Sequence, residues 1–298
     1  MPARQTLDFI VIGAAKCGTT SFWRGLDSHP RIRTPSDKER GFFNSDARYA
    51  RGLPAFLAAA FPGLEPGQVC GTVTPNYMSS RRVDTVVERM WQTVPDVRLI
   101  ALLRDPVERT VSQFRQGVRV GSVRAPTLPE HLEAVGEDAE VVRNSEYGRI
   151  LGRYLERFGR DQLLIGFTER LERDPQALYR DVFSFLGVDP AHEPPPSRLN
   201  VGGTASRVEG EAIEAIEEWM DENVWPRVEA PGELRRGLAW WLRYHWNTQP
   251  DEELVEIPPE LRAELQRLFL ADAELLRPIL GADPPWAARY RRELRDAA

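Results

Sequence analysis

Hydrophobic positions along this chain follow two rhythms that alternate. Four short, largely apolar runs, Phe9–Ile12, Val69–Val73, Val97–Leu103 and Gln162–Phe167, leave no polar face. Runs of that length predict strands buried on both sides, as in a parallel sheet. Between and after them, Ser21–Ser28, Val83–Val94, Val107–Val118, Tyr147–Phe158 and Pro175–Leu186 carry apolar residues three and four apart, which predicts amphipathic helices. Strand and helix in alternation predict an α/β fold with a central parallel sheet and right-handed crossovers. Ligands in such sheets bind at the C-terminal ends of the strands. Attention therefore falls on the residues just after Ile12, Val73 and Leu103.

The pattern changes late in the chain. Pro194-Pro195-Pro196 predicts a loop. From Arg207 to about His245 two apolar stripes recur at helical spacing, Ile213, Ile216, Trp219 and Met220, then Leu234, Leu238, Trp241 and Leu242. They predict a tryptophan-rich helical insert or cap at about 207–245. Pro258 to Leu280 predicts a closing long helix or helical pair.

Composition narrows the function classes. The chain has 298 residues, enough for one large α/β domain, and its formal net charge is -6. That charge argues against a general nucleic-acid or anionic-membrane binder, while leaving room for one local basic pocket. The two cysteines, Cys17 and Cys70, make no disulfide framework and lack metal-ligand spacing, so no metal is expected and a reducing compartment is the simpler reading. Met1 to Asp8 has no signal-peptide core and no segment reaches membrane length. A soluble, cytoplasmic protein is expected, and the wealth of Arg, Ala and Pro suits a bacterial source.

Two loops carry chemistry. The first strand runs into Gly13-Ala14-Ala15-Lys16-Cys17-Gly18-Thr19-Thr20-Ser21, after which a helix begins. Small residues let backbone N–H groups turn inward, the helix N-terminus adds partial positive charge, Lys16 adds a full one, and Thr19, Thr20 and Ser21 add hydroxyl donors. The loop departs from GxxxxGK[ST]: Gly13 and Gly18 keep the spacing, but Thr19 stands where lysine is required and Lys16 lies two positions before Gly18. The third strand ends in Arg104 rather than in a magnesium-supporting carboxylate. In the second loop Arg104 is followed by Asp105, by Pro106 at a helix start, and by Ser112 two turns on. A guanidinium grips a phosphate dianion through its fork, and a serine donates a further hydrogen bond.

Gly13 to Ser21 resembles the 5′-phosphosulfate loop of sulfotransferases that use 3′-phosphoadenosine 5′-phosphosulfate (PAPS), with the lysine displaced as here. Arg104-Asp105-Pro106 with Ser112 resembles the family's 3′-phosphate motif. Lys38-Glu39 ahead of Phe42-Phe43 resembles the heparan-sulfate-type and related bacterial branch, and Gly71-Thr72-Val73-Thr74-Pro75-Asn76-Tyr77 resembles that branch's next motif, near the acceptor. The resemblance implies a single sulfotransferase domain over 1–298 with a P-loop-like three-layer sandwich fold. It implies cofactor binding by Lys16, Cys17, Gly18, Thr19, Thr20, Ser21, Arg104 and Ser112. A flexible loop at Arg198–Gly203, with Asn200 and Gly202, covers the cofactor in relatives. It implies Lys16 and Glu39 as catalytic groups, Glu39 as the base, and Lys38, Phe43, Pro75 and Tyr77 near the acceptor.

The chain departs from the glycan-modifying members at Gly41, where they often carry histidine, and at Thr72 and Val73, where many relatives are charged. A small-molecule, natural-product or glycan acceptor is expected, with the less charged ones favoured. The phenol and steroid branch uses a histidine base, and none of His29, His131, His192 and His245 follows the strand ending at Val73. His29 reads as a helix-end cap or surface residue, and His131 as a residue that could approach the site on a loop. Two other readings stand beside this one, an ATP-dependent P-loop kinase-like enzyme and a non-catalytic nucleotide-binding module.

Overall fold

A computed structural model describes residues 6–36, 39, 41–195, 220 and 257–297. The elements, in chain order, are β1 (Phe9–Gly13), α1 (Thr19–Asp27), β2 (Ile32–Arg33), α2 (Asp46–Ala50), α3 (Leu53–Ala60), β3 (Val69–Val73), α4 (Val83–Thr93), β4 (Arg98–Leu103), α5 (Pro106–Arg119), α6 (Leu128–Val135), α7 (Glu140–Arg143), α8 (Tyr147–Leu155), β5 (Leu163–Phe167), α9 (Thr168–Arg173), α10 (Pro175–Leu186), α11 (Pro259–Leu280) and α12 (Ala287–Asp296). The strands form one parallel sheet in the order β2-β3-β1-β4-β5.

The apolar runs explain this order. Successive strand residues face opposite sides. Phe9 to Ile12 of β1 and Leu99 to Leu103 of β4 are all 0 % exposed, so both faces of the sheet are covered there. β5, which mixes buried and half-buried residues, takes one edge, and β2, only two residues long, takes the other. Each fully buried Phe, Leu or Ile contributes about 1.5–3 kcal/mol, so these central strands anchor the fold.

The four expected strands are present with ends shifted by at most one residue. β2 is an addition: two residues make no periodicity, and Ile32–Arg33 becomes a strand only by pairing with Val69 and Cys70 of β3. The five expected helices are present; α2, α3, α6, α7 and α9 are too short to have stood out. His131 lies within α6 rather than on a loop, its ring centroid 5.9 Å from that of Phe114. His29 is a buried cap: Nδ1 accepts from the Arg31 amide and Nε2 lies 3.2 Å from the Asp189 carbonyl. The expected insert at about 207–245 falls outside the described residues apart from Met220.

The chain divides into two compact units. Met1–Arg109, Val142–Val201 and Ala263–Ala298 form one, which holds the whole sheet; Thr110–Val141 and Gly202–Arg262 form the other. In the sheet unit the strand order reverses at β1, with β3 on one side and β4 on the other. The C-terminal ends of β3, β1 and β4 thus lie side by side, which is where an open α/β sheet binds its ligand.

Candidate active site

The loop after β1 is built to leave N–H groups without protein acceptors. Register against β4 shifts between Val11 and Gly13, so the chain bulges as it leaves the sheet. Lys16 and Gly18 take left-handed backbone conformations, φ 72° and 75°. Gly18 is the N-cap of α1 and offers no side chain to the first turn, which also contains no acid. The first intrahelical bond is Phe22 N–H to the Gly18 carbonyl at 3.1 Å. The amides of Gly18, Thr19 and Thr20 precede it and have no intrahelical acceptor. That leaves partial positive charge facing outward.

Carbonyls of the same loop are held inward. Arg109 is 1 % exposed; its Nε donates to the Ala15 carbonyl at 3.0 Å and its Nη1 to the Ser145 hydroxyl at 2.8 Å. The Thr168 hydroxyl reaches the carbonyls of Cys17 and Leu103 at 3.0 and 3.1 Å. Cys17 is fully buried with its Sγ 3.6 Å from the Tyr147 hydroxyl, which donates to the Arg104 carbonyl at 3.0 Å. Burial pushes the Cys17 thiol up, against the neighbouring Arg109 charge, so it stays a neutral thiol and serves the loop through its backbone. Lys16, Gly18 and Thr20 keep part of their surface exposed, whereas Thr19 and Ser21 are buried.

Arg104 follows the last residue of β4 and is half-buried. Its guanidinium has no partner among the described residues. The adjacent carboxylate is committed elsewhere: Asp105 Oδ1 accepts from the Tyr290 hydroxyl at 2.7 Å and the Glu108 amide at 3.0 Å, and Oδ2 pairs with Arg289 of α12. Arg104 thus lies beside an aspartate whose carboxylate is already bonded, with a second carboxylate close by, Glu169 Oε1 accepting from the Asp105 amide at 3.0 Å. Ser112 lies on α5, eight residues on, half-buried, and belongs to the second unit.

Glu39 is exposed and sits at the end of β3, its amide donating to the Val73 carbonyl at 3.0 Å. Val73 is paired with Val11 of β1, so Glu39 is fixed one strand over from the start of the loop after β1. Its φ of 74° is a left-handed conformation that a non-glycine residue holds only when its surroundings enforce it. Phe43 and Tyr77 are both fully buried. The Tyr77 hydroxyl accepts from the amides of Phe42 and Phe43 at 2.8 and 3.2 Å, and Tyr154 donates to the Tyr77 carbonyl at 2.9 Å. These aromatic residues therefore offer no surface to a ligand here; they tie the segment after Glu39 to the end of β3. Pro75 is buried at the start of a 3-10 turn, Pro75–Met78. Lys38, Asn200 and Gly202 lie outside the described residues.

The sheet thus brings together Lys16, Gly18, Thr20, Arg104 and Glu39 along one edge. Sequence reading missed Arg109, Thr168 and Tyr147. Arg109 sits in Glu108-Arg109-Thr110, which resembles any solvated helix face; its one signal is position, one turn after Asp105.

Comparison with known proteins agrees with this geometry. A family model described as "Sulfotransferase domain" matches residues 6–200. The chain is 35% identical over 157 residues to membrane-associated sulfotransferase kil1 of Dictyostelium discoideum, covering 51% of this chain and 31% of that protein. It is 30% identical over 183 residues to human heparan sulfate glucosamine 3-O-sulfotransferase 6, covering 60% of this chain and 52% of that protein. The chain therefore spans about half the length, or less, of these curated relatives. A crystal structure of a sulfotransferase from Alicyclobacillus acidocaldarius superposes with a TM-score of 0.64 at 23% identity, covering 96% of this chain and 99% of that one, and shows the same fold.

Proposed function

Given that the chain belongs to the sulfotransferase family, we propose that it transfers a sulfuryl group from PAPS to a hydroxyl or amine, releasing 3′-phosphoadenosine 5′-phosphate (PAP). The observation that carries this is the pair of anion-seeking features on neighbouring strands, the uncapped N-terminus of α1 with Lys16 after β1 and the unpaired Arg104 after β4. Two such features suit a nucleotide with phosphate at both its 5′ and 3′ positions. The loop amides, Lys16 and the Thr20 hydroxyl receive the 5′-phosphosulfate, Thr19 and Ser21, whose side chains are buried, act through their backbone, and Arg104 receives the 3′-phosphate, to which the family's motif also assigns Ser112. Asn200 and Gly202 complete the cofactor loop.

The chemistry assigned to the chain is an in-line displacement. The Glu39 carboxylate accepts the proton of the acceptor hydroxyl or amine as that atom forms its bond to sulfur. The bond from sulfur to the bridging oxygen breaks, and the electron pair stays on the departing phosphate. Lys16 and the loop donors stabilise the charge that grows there. No metal ion is assigned a part. Lys38 borders the acceptor, while Phe43, Pro75 and Tyr77 support Glu39 from within.

A small-molecule, natural-product or weakly charged glycan acceptor fits best. Gly41 is buried, and a Cβ there would lie 2.1 Å from Asn44 Oδ1, so the imidazole that glycan-modifying members often carry would first have to displace the Asn44 side chain. Among the described residues no helix is long and apolar enough to cross a membrane. Cytoplasmic residence is supported by Cys17 and Cys70, both buried and in no disulfide.

The test is isothermal titration with PAP against ADP and ATP–magnesium. Binding of PAP that is at least tenfold tighter than of ADP supports the reading; preference for ATP–magnesium overturns it.

A further inference from the structure

Two buried side chains, Arg109 and Thr168, hold carbonyls of the loop after β1 and so bear on which way its peptide groups point. We propose that they are positioning residues for the 5′-phosphate end of the nucleotide. This rests on the cofactor reading above.

The only cis bond among the described residues is Gly13–Ala14, so the peptides that follow are trans. In a trans peptide the C=O and the next N–H point in opposite directions. Arg109 Nε holds the Ala15 carbonyl at 3.0 Å, so the Lys16 N–H faces away from Arg109. Thr168 holds the Cys17 carbonyl at 3.0 Å, so the Gly18 N–H faces away from Thr168. Lys16, between the two clamps, has a φ of 72°. A lysine relaxes from that region at a gain of about 1–2 kcal/mol unless its neighbours are held. The clamps supply that restraint, and through it direct both the Lys16 side chain and the flanking amides. Ser145, itself 1 % exposed, fixes the rotamer of Arg109 by accepting from Nη1 at 2.8 Å.

Positioning of one end of a nucleotide differs from general support of the fold in its ligand dependence. The affinities of PAP and of adenosine 3′-monophosphate, which lacks the 5′-phosphate, are measured by titration for wild type, Arg109→Met, Thr168→Val and Ser145→Ala. Thr168→Val is nearly isosteric and keeps the test open if Arg109→Met fails to fold. In wild type PAP binds at least tenfold more tightly than the monophosphate. In Thr168→Val and in folded Arg109→Met that ratio falls by about tenfold, as for loss of a charge-assisted or buried hydrogen bond, with monophosphate affinity unchanged. Arg109→Lys, which keeps the charge but not the fork, restores part of it. A ratio that stays at the wild-type value in Thr168→Val or in any folded Arg109 variant overturns the positioning role. A wild type that does not distinguish the two ligands overturns the cofactor reading instead.

Discussion

Tyr290 in the last helix donates its hydroxyl proton to Oδ1 of Asp105 at 2.7 Å and accepts from the Val107 amide at 3.3 Å, across more than 180 residues of chain. With Arg289 on Oδ2, it holds both carboxylate oxygens of Asp105, the residue next to Arg104. Tyr290→Phe removes one buried donor and leaves Oδ1 with the Glu108 amide alone. A loss of about 1–3 kcal/mol in stability is expected from the orphaned polar groups, read from urea unfolding, with a several-fold loss of PAP affinity as Asp105 turns towards Arg104.

Arg104→Ala is expected to behave in the opposite way. No described residue depends on its guanidinium, so the urea midpoint stays near wild type. PAP affinity falls roughly 10- to 100-fold, as for loss of a forked phosphate contact, whereas ADP, which lacks the 3′-phosphate, binds as before. Titration with both ligands checks this, and equal losses for the two would remove Arg104 from the 3′-phosphate.

Glu39→Gln keeps size and backbone while removing the proposed base. Turnover is expected to drop by about 10²–10⁴ with PAP affinity within about twofold of wild type. Sulfate transfer from labelled PAPS, measured with a panel of phenolic, alcohol and glycan acceptors, reads this directly once one acceptor turns over. A fully active variant would put the proton acceptor elsewhere.

Asp272 of α11 acts as a cap for α8, accepting from the amides of Gly148 and Arg149 at 2.8 and 2.9 Å. Burial raises its carboxyl from 3.8 to about 6, outweighing those two bonds, and nearby Glu146 adds to the rise. The folded chain therefore holds this proton more tightly than the unfolded chain between about pH 4 and about pH 6. Its contribution to stability is largest below that window and declines as pH rises through it. Asp272→Asn cannot ionise and keeps one acceptor oxygen. The stability of wild type relative to this variant is expected to be greater at about pH 4 than at about pH 7, by roughly 1–3 kcal/mol. Urea unfolding of both proteins across the window tests the sign.

Much of this architecture was legible because it is local. Phe9–Ile12 and Leu99–Leu103 are apolar without a break, which only a strand covered on both sides tolerates, and glycines with hydroxyls after a strand announce a turn into a helix. β2 was not legible, since two residues carry no period and pair only because β3 lies alongside. The buried aromatic residues Phe43 and Tyr77 read as acceptor contacts because their motif resembles one that lies near the acceptor in the family; the fold turns both inward, where the Tyr77 hydroxyl satisfies two backbone amides. Arg109 was hidden for the same reason in reverse, as a charged residue on an amphipathic helix whose burial depends on elements far away in the chain.

The sequence by itself determined the alternation of strands and helices, the anion loop from Gly13 to Ser21 and the arginine at the end of β4, because each is written in residues close together. Tertiary structure alone decided that β3, β1 and β4 end side by side and that Glu39 is tied to Val73. It decided, too, that Arg289 and Tyr290 neutralise Asp105, and that Arg109 and Thr168 turn the loop carbonyls inward. These relations join residues from tens to nearly two hundred positions apart, and only packing the apolar strands into one sheet brings them within hydrogen-bonding distance.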